Sequence, residues 1–187
     1  MSSRVWVGPV LALLLAAGCQ GEKSVPAGSG VLPAPSAGEV SSMKISSPDF
    51  KPGERLPARF TCDGENVSPG LLWSGVPPRA ASLALVCEDP DAPGGTFVHW
   101  IVVNMPPAAT GIPAAGPLPA GAVCVANDFG TTAYGGPCPP SGVHRYFFRL
   151  YALDVASLPV VTRRSLAAEL KKHALDQAEI MGRYARP

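Results

Sequence analysis

The sequence predicts a mostly β domain, an antiparallel β-sandwich finished by one or two short C-terminal helices. Three observations carry this. Twenty-two prolines and twenty glycines punctuate the chain, which favours short strands between turns over long helices. Six apolar runs of strand length lie between Gly, Pro, Asn and Asp clusters. Helical periodicity occurs only near the C-terminus.

The elements follow in chain order. Leu56–Thr61 reads as a first strand, stopped by Asp63-Gly64. Leu71–Trp73 is short and runs into Gly75 and Pro77-Pro78. Ser82–Glu88 (SLALVCE) is apolar throughout, as a central strand must be. Phe97–Met105 (FVHWIVVNM) is a fourth strand, closed by Pro106-Pro107. A Pro-, Ala- and Gly-rich loop over residues 106–121 leads to a strand at Ala122–Ala126. His144–Leu153 (HRYFFRLYAL) is the longest run. Ser165 then predicts the N-cap of a helix over residues 166–174, with Leu166 and Leu170 on one face, and a second short helix is expected near residues 176–183.

With 187 residues the chain supports one ordinary core. Net charge is +1 and no block of Lys and Arg occurs. A nucleic-acid surface needs such clustering, so that class of partner is not expected.

Residues 1–18 read as an export signal: Arg4 precedes the apolar run Val10–Ala17, which is too short for a permanent membrane span. Small residues leading into Cys19 look like a lipoprotein processing site, although Ala16 stands where the usual pattern has leucine. Cys19 is therefore the predicted lipidation site, and the protein is expected in the bacterial cell envelope. Gln20 after the cysteine points to the outer membrane, facing the periplasm. Residues 19–42 are Gly, Pro, Ser and Ala with almost no large apolar side chain, a tether rather than a fold. The domain is predicted over residues 43–187. Within it Cys62, Cys87, Cys124 and Cys138 allow three disulfide connectivities, or buried free thiols, and no Cys-x-x-Cys spacing occurs.

Three segments place polar residues against apolar strands. Asp89-Pro-Asp-Ala-Pro93 displays Asp89 and Asp91 on a turn stiffened by two prolines; its ordinary reading is an Asx-turn. His99 interrupts FVHWIVVNM, where period-2 alternation groups it with Ile101 and Val103; a lone strand histidine is more often core. Residues 134–146 (YGGPCPPSGVHRY) form a Gly- and Pro-rich loop running into a strand. There His144 and Tyr146 share a face and Arg145 points away. Gly135 and Gly136 would let backbone N–H groups approach an anion.

Taken together and in this order, DPDAP, the His99-Trp100 strand and PCPPSGVHRY resemble the phosphatidylethanolamine-binding protein family, most closely its bacterial Raf-kinase-inhibitor-like branch. Phe60-Thr-Cys-Asp-Gly64, Ser68-Pro69, Leu72-Trp73 and Tyr151-Ala-Leu-Asp154 extend the resemblance over residues 43–186. Gly70 departs from the family's usual second proline, and Glu88 sets another carboxylate beside Asp89.

The resemblance implies a large antiparallel sheet packed on a smaller one, with a shallow pocket for phosphate-like groups such as a phosphoethanolamine head. Matched residue by residue, the ligand-binding set is Asp89, Asp91, His99, Gly136, Pro137, His144 and Tyr146, with Pro93 and Pro139 shaping the rim. The expected partners are a small phosphorylated or anionic ligand and, through the lipid anchor, a membrane. Neither cofactor nor metal is expected, and no catalytic residue is assigned. A kinase- or protease-inhibitor-like regulatory role is a further implication of the family, with no protein partner indicated. The alternative is a metal-assisted hydrolase using the same His and Asp residues.

Overall fold

The structure is a computed structural model that describes residues 43–158 and 161–187. The expected export signal, Cys19 and tether lie outside the described residues.

Two antiparallel sheets form the domain. The smaller has the order β1-β2-β5, with β1 at Lys44–Ser46, β2 at Leu71–Ser74 and β5 at Gly111–Ile112. The larger has the order β6-β4-β3-β7-β8. Its members are β3 (Ser82–Asp89), β4 (Phe97–Met105), β6 (Val123–Cys124), β7 (His144–Leu153) and β8 (Ala174–Tyr184). One helix, α1, spans Leu166–His173. The mostly β sandwich, large sheet on small, is as expected.

The central strands are covered on both faces, which explains their unbroken apolar runs. One face turns Leu83, Leu85, Trp100, Val102, Phe148 and Leu150 toward Trp73 and Ile112 of the small sheet. The other packs Ala84, Val86, Ile101 and Val103 with Leu166 and Leu170 of α1. Burying each such side chain contributes roughly 1.5–3 kcal/mol relative to exposure.

Four expectations need correction. Residues 56–61 are not a strand: Pro57 lacks the N–H a ladder needs, and Ala58–Phe60 close a 3-10 turn instead. The strand expected at Ala122–Ala126 shortens to Val123–Cys124 at the sheet edge. The second helix is absent; residues 174–184 are β8, paired with β7 along its length. Burial of Ile180, Gly182 and Tyr184 is the period-2 signal that outweighs the helix-forming Ala, Leu and Glu around it. Finally, the Ser165 hydroxyl does not cap α1. Thr162 takes that part: its Oγ1 accepts from the Ser165 N–H at 3.2 Å and its carbonyl from the Leu166 N–H at 3.0 Å.

Candidate functional site

The site lies where β3, β4 and β7 run out into loops. Asp89 ends β3 and is buried. Its Oδ1 accepts from the Asp91 N–H at 2.8 Å, the Asx-turn of its ordinary reading. Its Oδ2 pairs with His144 Nδ1 at 2.7 Å, in a pair whose side chains are 5% and 9% exposed. The turn and the site therefore use different oxygens of one carboxylate.

His99 reaches the same place through a bulge. Cys87 pairs with Trp100 and Glu88 with Val98, so His99 is the extra residue of β4. The bulge overturns the alternation expected for it. His99 does not share a face with Ile101 and Val103 but points to Tyr146, ring centroids 5.2 Å apart and nearly perpendicular. Its Nδ1 lies 2.7 Å from the Gly135 carbonyl. A carbonyl only accepts, so Nδ1 carries the proton and Nε2 of the neutral ring is an acceptor. Burial, the largest influence, pushes the His99 pKa below the ordinary histidine value, against the pull of the Gly135 carbonyl and of Asp89.

Tyr146 completes the floor. It is fully buried, and no group among the described residues meets its hydroxyl with hydrogen-bond geometry. Burial, then the Asp89 charge and the approach of the hydroxyl to that carboxylate, push its pKa far above the ordinary phenol value, so it stays a neutral donor.

Asp89, His99, His144 and Tyr146 line one cavity of about 210 Å³ together with Pro93, Phe97, Phe129 and the run Cys138–Pro140. No Lys or Arg is among the lining residues. Among the described residues no group of three or more His, Cys, Asp or Glu side chains is arranged to hold a metal ion.

Three of the expected residues sit elsewhere. Asp91 turns outward, where it accepts from the Arg145 N–H, Nε and Nη2 at 2.7–2.9 Å. The Arg145 side-chain bonds hold its pKa down to about 2. The Gly136 N–H donates to Asn66 Oδ1 at 2.7 Å and the Gly135 N–H to the His99 carbonyl at 3.1 Å. Both amides are occupied, so the anion nest expected there does not form. Gly136 is needed for close approach: a Cβ would fall 2.5 Å from the Phe60 carbonyl oxygen and 2.6 Å from Asn66 Oδ1. The Pro137 carbonyl accepts from the Cys62 N–H at 3.0 Å, behind the wall.

Two further expectations change. Glu88 does not crowd the site; alternation sends it to the other face of β3, where it pairs with Arg149. Gly70 donates its N–H to Asp49 Oδ2 at 2.6 Å, a bond the family's usual proline could not make. Cys62 and Cys138 are joined in a disulfide, whereas Cys87 and Cys124 are free. Each cysteine reading thus holds for one pair.

The aromatic wall escaped sequence reasoning. Phe129 stacks edge-on against Phe97 and His99, at centroid distances of 4.7 and 5.4 Å. Its loop is organised by Asn127, whose Nδ2 donates to the His99 and Ala133 carbonyls and whose Oδ1 accepts from the Phe129 and Thr131 N–H groups. Asn-Asp-Phe-Gly at 127–130 is turn chemistry that could have signalled this loop.

A three-stranded sheet on a five-stranded one, with a pocket at one end of the larger, defines the class of phosphatidylethanolamine-binding folds. The sequence profile of the phosphatidylethanolamine-binding protein family matches residues 46–185. The chain belongs to that family, as a bacterial member. It is 51% identical over 150 residues to the UPF0098 protein of Methanothermobacter thermautotrophicus, covering 77% of this chain and 99% of that one. It is 44% identical over 156 residues to a Mycobacterium tuberculosis chain named for a lipoprotein, LppC, covering 81% and 75% respectively. Among solved structures, E. coli YbcL, described as a member of the mammalian PEBP family, superimposes with a TM-score of 0.74 at 36% identity, covering 79% of this chain and all of YbcL.

Proposed function

We propose that the pocket binds a small phosphorylated or otherwise anionic ligand, in a domain held to the bacterial envelope through lipidated Cys19. The observation that carries the reading is the Tyr146 hydroxyl, buried at the pocket floor with the Asp89 carboxylate close by but no partner in hydrogen-bond geometry. Leaving such a group unsatisfied costs about 1–3 kcal/mol, which a ligand oxygen accepting its proton would recover.

The lining also narrows the ligand. With no Lys or Arg lining the cavity, and Asp89 at its floor, a fully ionised phosphate is poorly matched. A phosphate or phosphomonoester that keeps one proton fits better. Its oxygen accepts from Tyr146 and its own O–H donates to His99 Nε2. An ammonium on the ligand, as in phosphoethanolamine, would meet Asp89 and the aromatic faces favourably. The metal-hydrolase alternative needs both aspartates and both histidines to converge, and Asp91 is turned to Arg145. The relative named for a lipoprotein supports anchoring by Cys19. The outer-membrane, periplasm-facing location rests on Gln20 alone.

Calorimetric titration with inorganic phosphate and phosphoethanolamine tests the pocket reading. Both bind the parent chain, and Tyr146→Phe weakens them about tenfold or more with the unfolding midpoint unchanged or raised. Equal binding by parent and variant overturns it.

A further inference from the structure

The wall over the pocket is a loop, and a second loop holds it. Residues 134–138 are joined to residues 60–66 at four points. The Tyr134 hydroxyl donates to the Phe60 carbonyl at 2.9 Å, the Gly136 N–H to Asn66 Oδ1 at 2.7 Å and the Cys62 N–H to the Pro137 carbonyl at 3.0 Å. The fourth is the Cys62–Cys138 disulfide.

The fourth differs from the others in position as well as in chemistry. The three hydrogen bonds end at residue 137. Cys138, Pro139 and Pro140 are the residues that line the cavity. Pro139 and Pro140 have no N–H to donate. Among the described residues, 139–143 make no hydrogen bond outside their own loop, and the next fixed point is His144 at the start of β7. The disulfide is therefore the last anchor before the floor. Cys138 is an exposed residue, whereas Cys62 is half-buried, so Cys138 is the more open of the two to a thiol in solution.

We propose that this disulfide is a redox clamp on the pocket: ligand binds tightly when Cys62 and Cys138 are joined and more weakly when they are two thiols. The proposal rests on the anion-binding reading of the pocket. A dithiol reductant supplies the chemistry. One of its thiolates attacks Cys138 Sγ, the S–S bond breaks, and Cys62 leaves and takes up a proton. The reductant's second thiol then displaces Cys138, which is protonated in turn, and the reductant ends as a cyclic disulfide. Two electrons have entered the protein. In this scheme a chain still in a reducing compartment has a loose pocket, and export into an oxidising one sets it.

Linkage makes the effect reciprocal. If the disulfide strengthens binding by some factor, saturating ligand must make the disulfide harder to reduce by the same factor. A tenfold effect corresponds to about 30 mV for this two-electron couple.

The test uses the whole chain and inorganic phosphate as probe. Phosphate is titrated into the oxidised chain, the dithiothreitol-reduced chain and the double variant Cys62→Ser/Cys138→Ser. The reduction midpoint is then measured with and without saturating phosphate. The proposal expects reduced chain and double variant to bind alike, about fivefold or more below the oxidised chain. It expects phosphate to shift the midpoint by the matching amount. Hydrogen exchange on the reduced chain should show loss of protection confined to the two joined loops, at the Cys62, Gly135 and Gly136 amides, with β3 and β7 unchanged. Equal affinity in both redox states overturns the clamp while leaving the anion reading intact. Protection lost throughout the domain also overturns it, because the disulfide would then hold the fold and not the wall. An oxidised chain that takes no phosphate overturns the anion reading, and the clamp with it.

Discussion

The floor and the wall of the pocket are built differently. The floor groups Asp89, His144 and Tyr146 stand on β3 and β7, which pair from Ser82↔Leu153 to Glu88↔Phe147. They lie just past the end of that ladder, and their backbone is fixed by the neighbouring ones: Asp89 pairs with Phe97 of β4, and His144 and Tyr146 with Tyr184 and Gly182 of β8. The wall groups Phe129 and Cys138–Pro140 stand on loops, held by the side chains of Asn127 and Asn66 and by one disulfide. The floor carries polar groups whose burial must be compensated. The wall carries rings and prolines that need only be in the right place. A change in the floor should therefore cost stability and binding together, whereas a change in the wall should cost binding first.

The largest expected effect is in the floor. His144→Ala removes the partner of a buried carboxylate and should cost about 3–5 kcal/mol in chemical denaturation, with phosphate binding lost. A cost near zero would break the contrast, because Asp89 would then not depend on its pair. The wall comes next. Gly136→Ala forces the Phe60 carbonyl or Asn66 aside and should cost about 1–3 kcal/mol. Its loss of phosphate affinity should exceed what that stability change alone accounts for, and binding unchanged in the folded variant would show the wall to be passive.

The smallest effect is in pH dependence, and its two halves have opposite sign. The folded pKa of His99 lies below its unfolded value. As pH falls through about 6.5 the unfolded chain takes up a proton that the folded chain does not. Stability of the ligand-free chain therefore declines from there down to the folded pKa, and no further below it. Phosphate affinity should rise as the pH approaches the folded pKa, where His99 takes up its proton and adds a donor to a pocket without fixed cations. Unfolding midpoints and titrations between pH 8 and pH 5 check both halves. Affinity that falls with pH would separate His99 from ligand binding.

Much of this was legible in the sequence where residue pattern and backbone agree. The long apolar strands β3, β4 and β7 were visible because both of their faces are covered. Asp89, His144 and Tyr146 were visible because they sit at strand ends beside turn residues. What the sequence hid was decided by tertiary geometry. The bulge at His99 turns that ring to the opposite face, and no local pattern announces one extra residue in a ladder. β8 looked helical because its Ala, Leu and Glu favour helix, and only pairing with β7 decides otherwise. Gly136 was expected to free its N–H for a ligand, yet the missing side chain serves close packing and Asn66 takes the amide. The disulfide could not be assigned, because its partners are 76 residues apart.

The Tyr146 hydroxyl, with no partner in hydrogen-bond geometry, is the proposed anchor of the anion site. The most direct measurement is a crystal structure of the protein with inorganic phosphate. A phosphate oxygen is expected within hydrogen-bond distance of Tyr146 Oη, with another phosphate oxygen at His99 Nε2. Phosphate found only in the shallower depression beside Arg145 and Arg183, with the Tyr146 hydroxyl bonded to water alone, would contradict it.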